Sequence, residues 1–409
     1  LADATRLRIL GLLATREFSV QELAATLELK EPTVSHHLAR LKELDLVAMR
    51  AEGNVHYYAL RLESLRSMVR EVLTPDQLAR AVTEDLAGER LSEIGAMAHS
   101  RAGVRVFSDD GKCVHDALLM RRALEYVKTF DGVIAQHAQD PRLTEGAQMN
   151  EGALSSELGL KGWPAVAEES IIARDALLAE HIDARLHICH LSTAGSVEVV
   201  RWAKARGVRI TAEVTPHHLL LTEELVRSYD PRYKVNPPLR RDADVRALRQ
   251  AVADGVIDIV ATDHAPHPTE SKECEWDAAA FGMVGLESAL PVVIHTLVNE
   301  GHASWAEVEQ LLSQRPAEIG RLREASEHPA TLAEGEVADL VLVDPAGSSE
   351  FDLARLHGRS TNSPFLHMEL PGRVHTTIRR GYVTYEHGQP VDAETVSAAA
   401  LAAAVGGAA

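Results

Sequence analysis

Cysteine is scarce in this chain. Cys113, Cys189 and Cys274 are the only three in 409 residues, and no two stand at CxxC or zinc-finger spacing. That excludes a thiolate metal finger, removes any need for a disulfide framework, and fits a reducing compartment. No apolar run approaches the ~18 residues of a membrane span. A secretory leader is absent too, so the expected location is the cytoplasm, with no membrane partner. The chain opens on Leu1 rather than Met and enters a helical pattern at once, which reads as a fragment or a processed product. Positive charge is short as well: the formal net charge is −18. The shortage is uneven. Residues 1–80 carry 11 Lys/Arg against 11 Asp/Glu, while the rest carry 31 against 49. A general nucleic-acid coat is therefore excluded for the large part, whereas the small neutral part does not repel DNA.

Residues 1–80 read as helices followed by a hairpin. "LADATRLRILGLLA" puts Leu7, Leu10 and Leu13 at helical spacing. In "SVQELAATLEL", Ser19 precedes Glu22 by three residues, a capping-box pattern. "KEPTVSHHLARLKELDLV" adds a helix with Leu38, Leu41 and Leu44 on one face and small polar residues at its start, a helix-turn-helix arrangement. "LVAMRAEGNVHYYAL" then alternates around Gly53-Asn54, a hairpin turn signal, so the helices carry a wing. "LESLRSMVREVL" is a further amphipathic helix, of the kind that pairs two subunits. Over about residues 1–75, and most specifically in "TVSHHLARLKELDLV", the sequence resembles the arsenical-resistance-repressor (ArsR) family of bacterial regulators. The resemblance implies a homodimer on palindromic double-stranded DNA. Its helix with Thr33, Ser35, His36, His37 and Arg40 would enter the major groove, and the wing would touch phosphates. The cysteine-pair metal sensing of some members is excluded, since no cysteine precedes Cys113.

From about residue 81 the pattern becomes strand-helix alternation. "VRVFSDDG" ends in Asp109-Asp110, "GVIAQHAQD" around His137, "RLHICHLS" around His190, "VRITAEVTPHH" in His217-His218, and "DIVATDHAPH" in Asp263. Helical patterns lie between them: "HDALLMRRALEYVKTF", "EESIIARDALLAEHI", "SVEVVRWAKARG" and "DADVRALRQAVADG". Repeated βα units with polar residues at the strand ends indicate a parallel barrel with its site on the C-terminal face. A doubly wound sheet would gather its ligands at one switch point instead. One histidine at a strand end is usually structural. Successive strands ending in Asp, His, His and Asp supply the donors that zinc takes at neutral pH. Such a metal lowers the pKa of bound water to about 7, and a neighbouring carboxylate can carry the proton to a leaving nitrogen. That is hydrolysis of an amide-like bond. His217 and His218 fit packing, or support of the ligands, better than ligation.

Over about residues 81–390 the sequence closely resembles dihydroorotase of the amidohydrolase superfamily, in the bacterial class with Asp in place of a carboxylated lysine. The stretches that carry this are "FSDDGKCVHDALLM", "AQHAQD", "EGALSSELGLKGWPAVAEESIIARDALLAE", "HICHLSTAGS", "AEVTPHHLLLTEEL", "YKVNPPLR", "ATDHAPH" and "FGMVGLE". The resemblance implies interconversion of N-carbamoyl-L-aspartate and dihydroorotate in pyrimidine synthesis. It implies Asp110 as shared metal ligand, His137 and His190 on one zinc, and Asp263 as both ligand and general acid/base. Asn236, His267, Phe281 and Gly282 would contact substrate.

The fold expected is α/β: an incomplete TIM-type (β/α) barrel of the amidohydrolase type with C-terminal β-sandwich strands, preceded by an α+β winged helix-turn-helix domain. The expected domains are 1–75 (winged helix), 81–331 (barrel), 332–390 (sandwich strands, from "GEVADLVLVDP" and "GRVHTTIRRGYVTYEHG") and 391–409 (a disordered tail). The family places an HxHxR motif at the end of its first barrel strand and an Asn on a following loop. No HxH occurs in residues 1–105, and five barrel strands are countable against the roughly eight that close a barrel. At most one Zn2+ per chain is therefore expected, against two in the intact family. Three readings stay open: a dihydroorotase-like enzyme joined to a DNA-binding domain, a transcriptional regulator carrying an inactive remnant, and an artificial joining of two genes.

Overall fold

A computed structural model describes residues 9–61 except 11, 14–15, 28 and 53–54, residue 64, residues 91–322 except 110, and residues 332–392 except 387. The chain forms two compact units, Leu1–Ala81 and Val82–Ala409.

In the first unit the capping box forms as the sequence indicates. The Glu22 amide donates to Ser19 Oγ at 3.2 Å and the Ser19 amide donates to Glu22 Oε2 at 2.8 Å. These reciprocal bonds satisfy two otherwise orphaned donors and start the helix Val20–Leu27. The helix Glu31–Glu43 follows, with Pro32 in its first turn, where a missing amide proton costs nothing. Leu23 and Leu27 of the first helix bury against Val34, Leu38 and Leu41 of the second. Strand β1 (Phe18–Ser19) and strand β2 (Val47–Glu52) flank β3 (Val55–Leu60) in an antiparallel sheet. The β2–β3 register runs from Val47↔Leu60 to Glu52↔Val55, which is the wing. Its turn residues Gly53 and Asn54, and nearly all of the pairing helix expected at 62–73, lie outside the described residues.

In the second unit all five expected strands are present, and they are parallel. They are β4 (Val106–Ser108), β5 (Val133–Gln136) and, after a two-strand excursion of β6 (Met149–Asn150) and β7 (Gly162–Trp163), β8 (Arg185–Ile188), β9 (Ile210–Val214) and β10 (Ile259–Val260). The order β10-β9-β8-β5-β4 follows the chain, as in the wall of a (β/α) barrel and not in a doubly wound sheet. Helices Ala117–Lys128, Val166–Ile182, Ala194–Ala205 and Asp242–Ala253 connect them. Asp116 and Thr193 cap two of these, accepting from the Leu119 amide at 2.7 Å and the Ser196 amide at 3.0 Å. Apolar residues such as Ile134, Leu186, Ile188, Ala212 and Val260 fill the core between sheet and helices. Among the described residues the sheet is open, with β4 and β10 as its edges. No described helix is long and apolar enough to cross a membrane.

The sandwich strands form one antiparallel meander of β11 (Leu340–Glu350), β12 (Glu369–Arg379), β13 (Tyr382–Glu386) and β14 (Gln389–Pro390). The link between β11 and β12 buries Phe351 and Phe365 against Val235, Leu239 and Met283. The link is thereby docked on the loops that leave the barrel strands. Residues 393–409, which include nearly all of the expected tail, lie outside the described residues.

Candidate active site at the strand ends

His137 follows β5 and His190 follows β8, so parallel neighbours bring the two imidazoles together. His137 Nδ1 and His190 Nε2 stand 2.8 Å apart, and both side chains are buried. His137 Nε2 lies 2.7 Å from Gln139 Oε1, which also accepts from Asn236 Nδ2 at 3.0 Å. An amide oxygen only accepts, so His137 Nε2 carries the proton. His137 Nδ1 is then the bare nitrogen, and it accepts from His190 Nε2. Gln139 is held in turn by Thr144 Oγ1 at 2.8 Å.

These two nitrogens fit a metal in kind. Zinc–nitrogen bonds of about 2.0–2.1 Å separate two tetrahedral ligands by roughly 3.3 Å. The two nitrogens stand closer than that because His190 Nε2 donates to His137 Nδ1. The full expected ligand set is not assembled. Asp110 lies outside the described residues. Asp263 is half-buried with φ +45° at the end of β10, and no three His, Cys, Asp or Glu among the described residues group to hold a metal. Next to Asp110, burial pushes the Asp109 carboxyl up to about 6, and its Oδ2 has no hydrogen-bond partner. The loop beyond is pinned to β5. Gln136 Nε2 donates to the fully buried Asp175 at 2.7 Å, and Arg174 spans from Asp175 to the Val114 carbonyl.

The expected substrate residues fall into two places. Asn236 joins the imidazole pair through Gln139, and its Oδ1 is buried without a partner. His267, Phe281 and Gly282 form a rim together: His267 Nε2 donates to the Phe281 carbonyl at 2.7 Å. Gly282 has φ +125°, and a Cβ there would lie 2.8 Å from His267 Nε2, so only glycine fits. Phe281 packs edge-on to Trp163 with the Lys234 ammonium over its ring.

The dihydroorotase of Leifsonia xyli subsp. xyli is 69% identical over 308 residues, which cover 75% of this chain and 70% of that protein. The dihydroorotase of Streptomyces coelicolor is 65% identical, covering 76% of this chain and 72% of that one. The chain belongs to the dihydroorotase family. A family model described as dihydro-orotase-like matches residues 45–196, and one described as bacterial regulatory protein, arsR family, matches residues 3–48. This is a dihydroorotase-like chain joined to an ArsR-type segment. Among solved structures, the L-hydantoinase (dihydropyrimidinase) from Arthrobacter aurescens shares the fold with TM-score 0.62 and 26% identity, over 70% of this chain and 65% of that one. The dihydroorotase and hydantoinase families are metal-dependent amidohydrolases of the TIM-barrel type.

Sequence reasoning missed the buried supports of this dihydroorotase-type site. Arg240 is 1% exposed at the end of "VNPPLR". Its Nε donates to Ser192 Oγ at 3.0 Å, and its Nη1 donates to Asn150 Oδ1 and the Trp163 carbonyl, both at 2.8 Å. Glu168 accepts from the Ser192 amide at 2.9 Å and from the Ser192 hydroxyl. The cluster therefore ties the loop after His190 to the loop after Asn236. An arginine closing an apolar, proline-rich stretch was the available signal. Beneath the site, Glu213 Oε2 lies 3.0 Å from His187 Nε2, and its Oε1 accepts from the His190 amide at 3.3 Å. Burial pushes the Glu213 carboxyl up, but the His187 bond and the nearby imidazoles outweigh it and hold it below the usual value.

His218 spans Thr215 Oγ1 at 2.8 Å and the Pro237 carbonyl at 3.2 Å. His217 is buried beside it with no partner for Nε2. Burial, with His190 and Arg240 nearby, pushes His218 down to about 3. The unfolded chain binds this proton near pH 6.5 and the folded chain only near 3, so stability falls as pH drops through that window. The melting temperature is expected to fall more steeply from pH 7 to 4.5 in the parent than in His218→Gln. Parallel curves would show that His218 does not set the acid limit.

Proposed function

We propose that the large unit interconverts dihydroorotate and N-carbamoyl-L-aspartate. The observation that carries this is the buried His137–His190 pair, whose ring nitrogens face each other at 2.8 Å beyond two parallel strand ends. With Asp110 as third donor, the pair would hold one zinc. Zinc supplies Lewis acidity, polarising a carbonyl and easing loss of a proton from water near neutral pH. Asp263 would take that proton and return it to the ring nitrogen as the amide C–N bond breaks, while the water oxygen stays on carbon. Asn236, His267, Phe281 and Gly282 would line the substrate.

At most one tightly held zinc per chain is expected, lost in His137→Ala and in His190→Ala. Elemental analysis after dialysis against a weak chelator checks this. Two retained equivalents, or an unchanged content in both variants, would refute the ligand assignment.

A second reading concerns the front unit and is favoured by its helix Glu31–Glu43. Thr33, Ser35, His36 and Arg40 are exposed there, and His37 is half-buried. Small polar side chains at the start of a recognition helix can approach base edges. A homodimer would present two such helices to a palindromic duplex. Arg40 now pairs with Glu43 at 2.6 Å and Arg50 with Glu17 at 3.1 Å, so phosphate contact must displace an acidic partner. Binding is expected to enrich an imperfect palindrome from random duplexes, to weaken steeply with salt, and to be tighter for residues 1–80 than for the full acidic chain. Enrichment of no palindrome by either form would sink this reading.

A further inference from the structure

The link between β11 and β12 reaches the rim that carries His267 and Gly282. Asn362 lies in this link and is 4% exposed. Its Nδ2 donates to the Ala265 carbonyl at 3.0 Å and to the Gly282 carbonyl at 3.2 Å. Its Oδ1 accepts from the His267 amide at 3.3 Å, and its own carbonyl accepts from the Val284 amide at 3.2 Å. Residues 265 and 267 form one arm of the loop after β10, and 282 and 284 form the other. One side chain and one carbonyl therefore brace a neck that the Ala265 amide also closes directly on the Met283 carbonyl at 3.0 Å.

The amide chemistry is specific. Both N–H donors and the oxygen of Asn362 are used. Aspartate has the same shape but no donor, and would set a carboxylate against two carbonyl oxygens. The middle of the loop is secured independently. Lys272 Nζ, buried, donates to the carbonyls of Pro231, Lys234 and Ala280 at 2.8, 3.2 and 2.7 Å. Thus Asn362 braces the neck at His267 and Gly282, beside the direct bond from Ala265 to Met283, and Lys272 holds the crown. Asn362 is itself anchored, because Ser363 and Phe365 beside it are fully buried.

We propose that Asn362 is a positioning residue for substrate recognition, setting the placement of His267 and Gly282 from outside the barrel. This rests on the assignment of those two residues to the substrate. It gives the C-terminal module a part in the site.

The test uses the full chain as Asn362→Asp and Asn362→Ser, the second in case the buried charge of the first prevents folding. Dihydroorotate affinity is read by calorimetry, zinc content by elemental analysis, and the His267 ring protons by NMR titration. His267 is held below its ordinary value chiefly by burial, and opening the neck would release it upward. The expected result is at least a tenfold weaker affinity, a His267 midpoint moved up, and unchanged zinc content, in at least the serine variant. An unmoved His267 midpoint in a folded variant overturns the positioning role. A moved midpoint with affinity within twofold of the parent overturns its link to substrate. A parent that binds no dihydroorotate sinks the proposed function instead, and with it the substrate half of this inference.

Discussion

Ring opening of dihydroorotate by the 409-residue chain is expected to run more than about a hundredfold below that of a complete family member. The family's HxHxR motif would supply the second pair of metal-binding imidazoles and an arginine for the substrate carboxylate. This sequence has no HxH. One lost contact to a developing oxyanion costs about 3 kcal/mol, or roughly 10²–10³ in rate, and the lost arginine removes bidentate carboxylate recognition as well. Arg240 does not stand in for it: its Nε and Nη1 are committed to Ser192, Asn150 and the Trp163 carbonyl inside the fold. Steady-state rates measured beside a complete dihydroorotase decide the matter. A kcat within tenfold of the complete enzyme, abolished by Asp263→Ala, would show that another group has taken over the missing work.

Arg240→Met is expected to destabilise the large unit by about 3–5 kcal/mol. The substitution leaves Glu168, 2% exposed, without the buried cation beside it at 3.8 Å, and strips donors from Asn150, Ser192 and the Trp163 carbonyl. Removing the charge from both sides is milder, since two apolar groups carry no desolvation penalty. Glu168→Leu combined with Arg240→Met is expected to recover much of the loss. Urea unfolding followed by tryptophan fluorescence isolates the effect, because Trp163, Trp202, Trp276 and Trp305 all lie beyond residue 81. A single variant within about 1 kcal/mol of the parent would mean that water reaches the cluster and carries the charge.

The parallel strands were legible because each is an apolar run closed by a polar residue, and the helices because their apolar faces repeat every three to four residues. Ser19 and Glu22 were legible because a capping box is local. The pairing of His137 with His190 could be anticipated once two βα units were placed side by side. Glu168 and Arg240, 72 positions apart in the chain, could not. No periodicity marks a charged residue as buried when its partner comes from another loop. Asn362 was hidden for the same reason, since its bonds run to residues some 80 to 97 positions earlier. The excursion of β6 and β7 was missed because strands of two residues carry no alternation.

His190 and Asp263 both sit in the left-handed region, at φ +35° and φ +45°. A side chain there costs roughly 1 kcal/mol that glycine would avoid. Glycine would relieve that strain, but at His190, buried and bonded to His137 at 2.8 Å, it would also open a cavity and strand the partner imidazole, so the half-buried Asp263 is the better place for disuse to show as glycine. Asp183, also left-handed at φ +57°, closes a helix far from any proposed chemistry and offers a reference for such exchange. Comparing substitution at Asp263 and Asp183 across descendants of this chain would date the loss of function, if one occurred, without an assay.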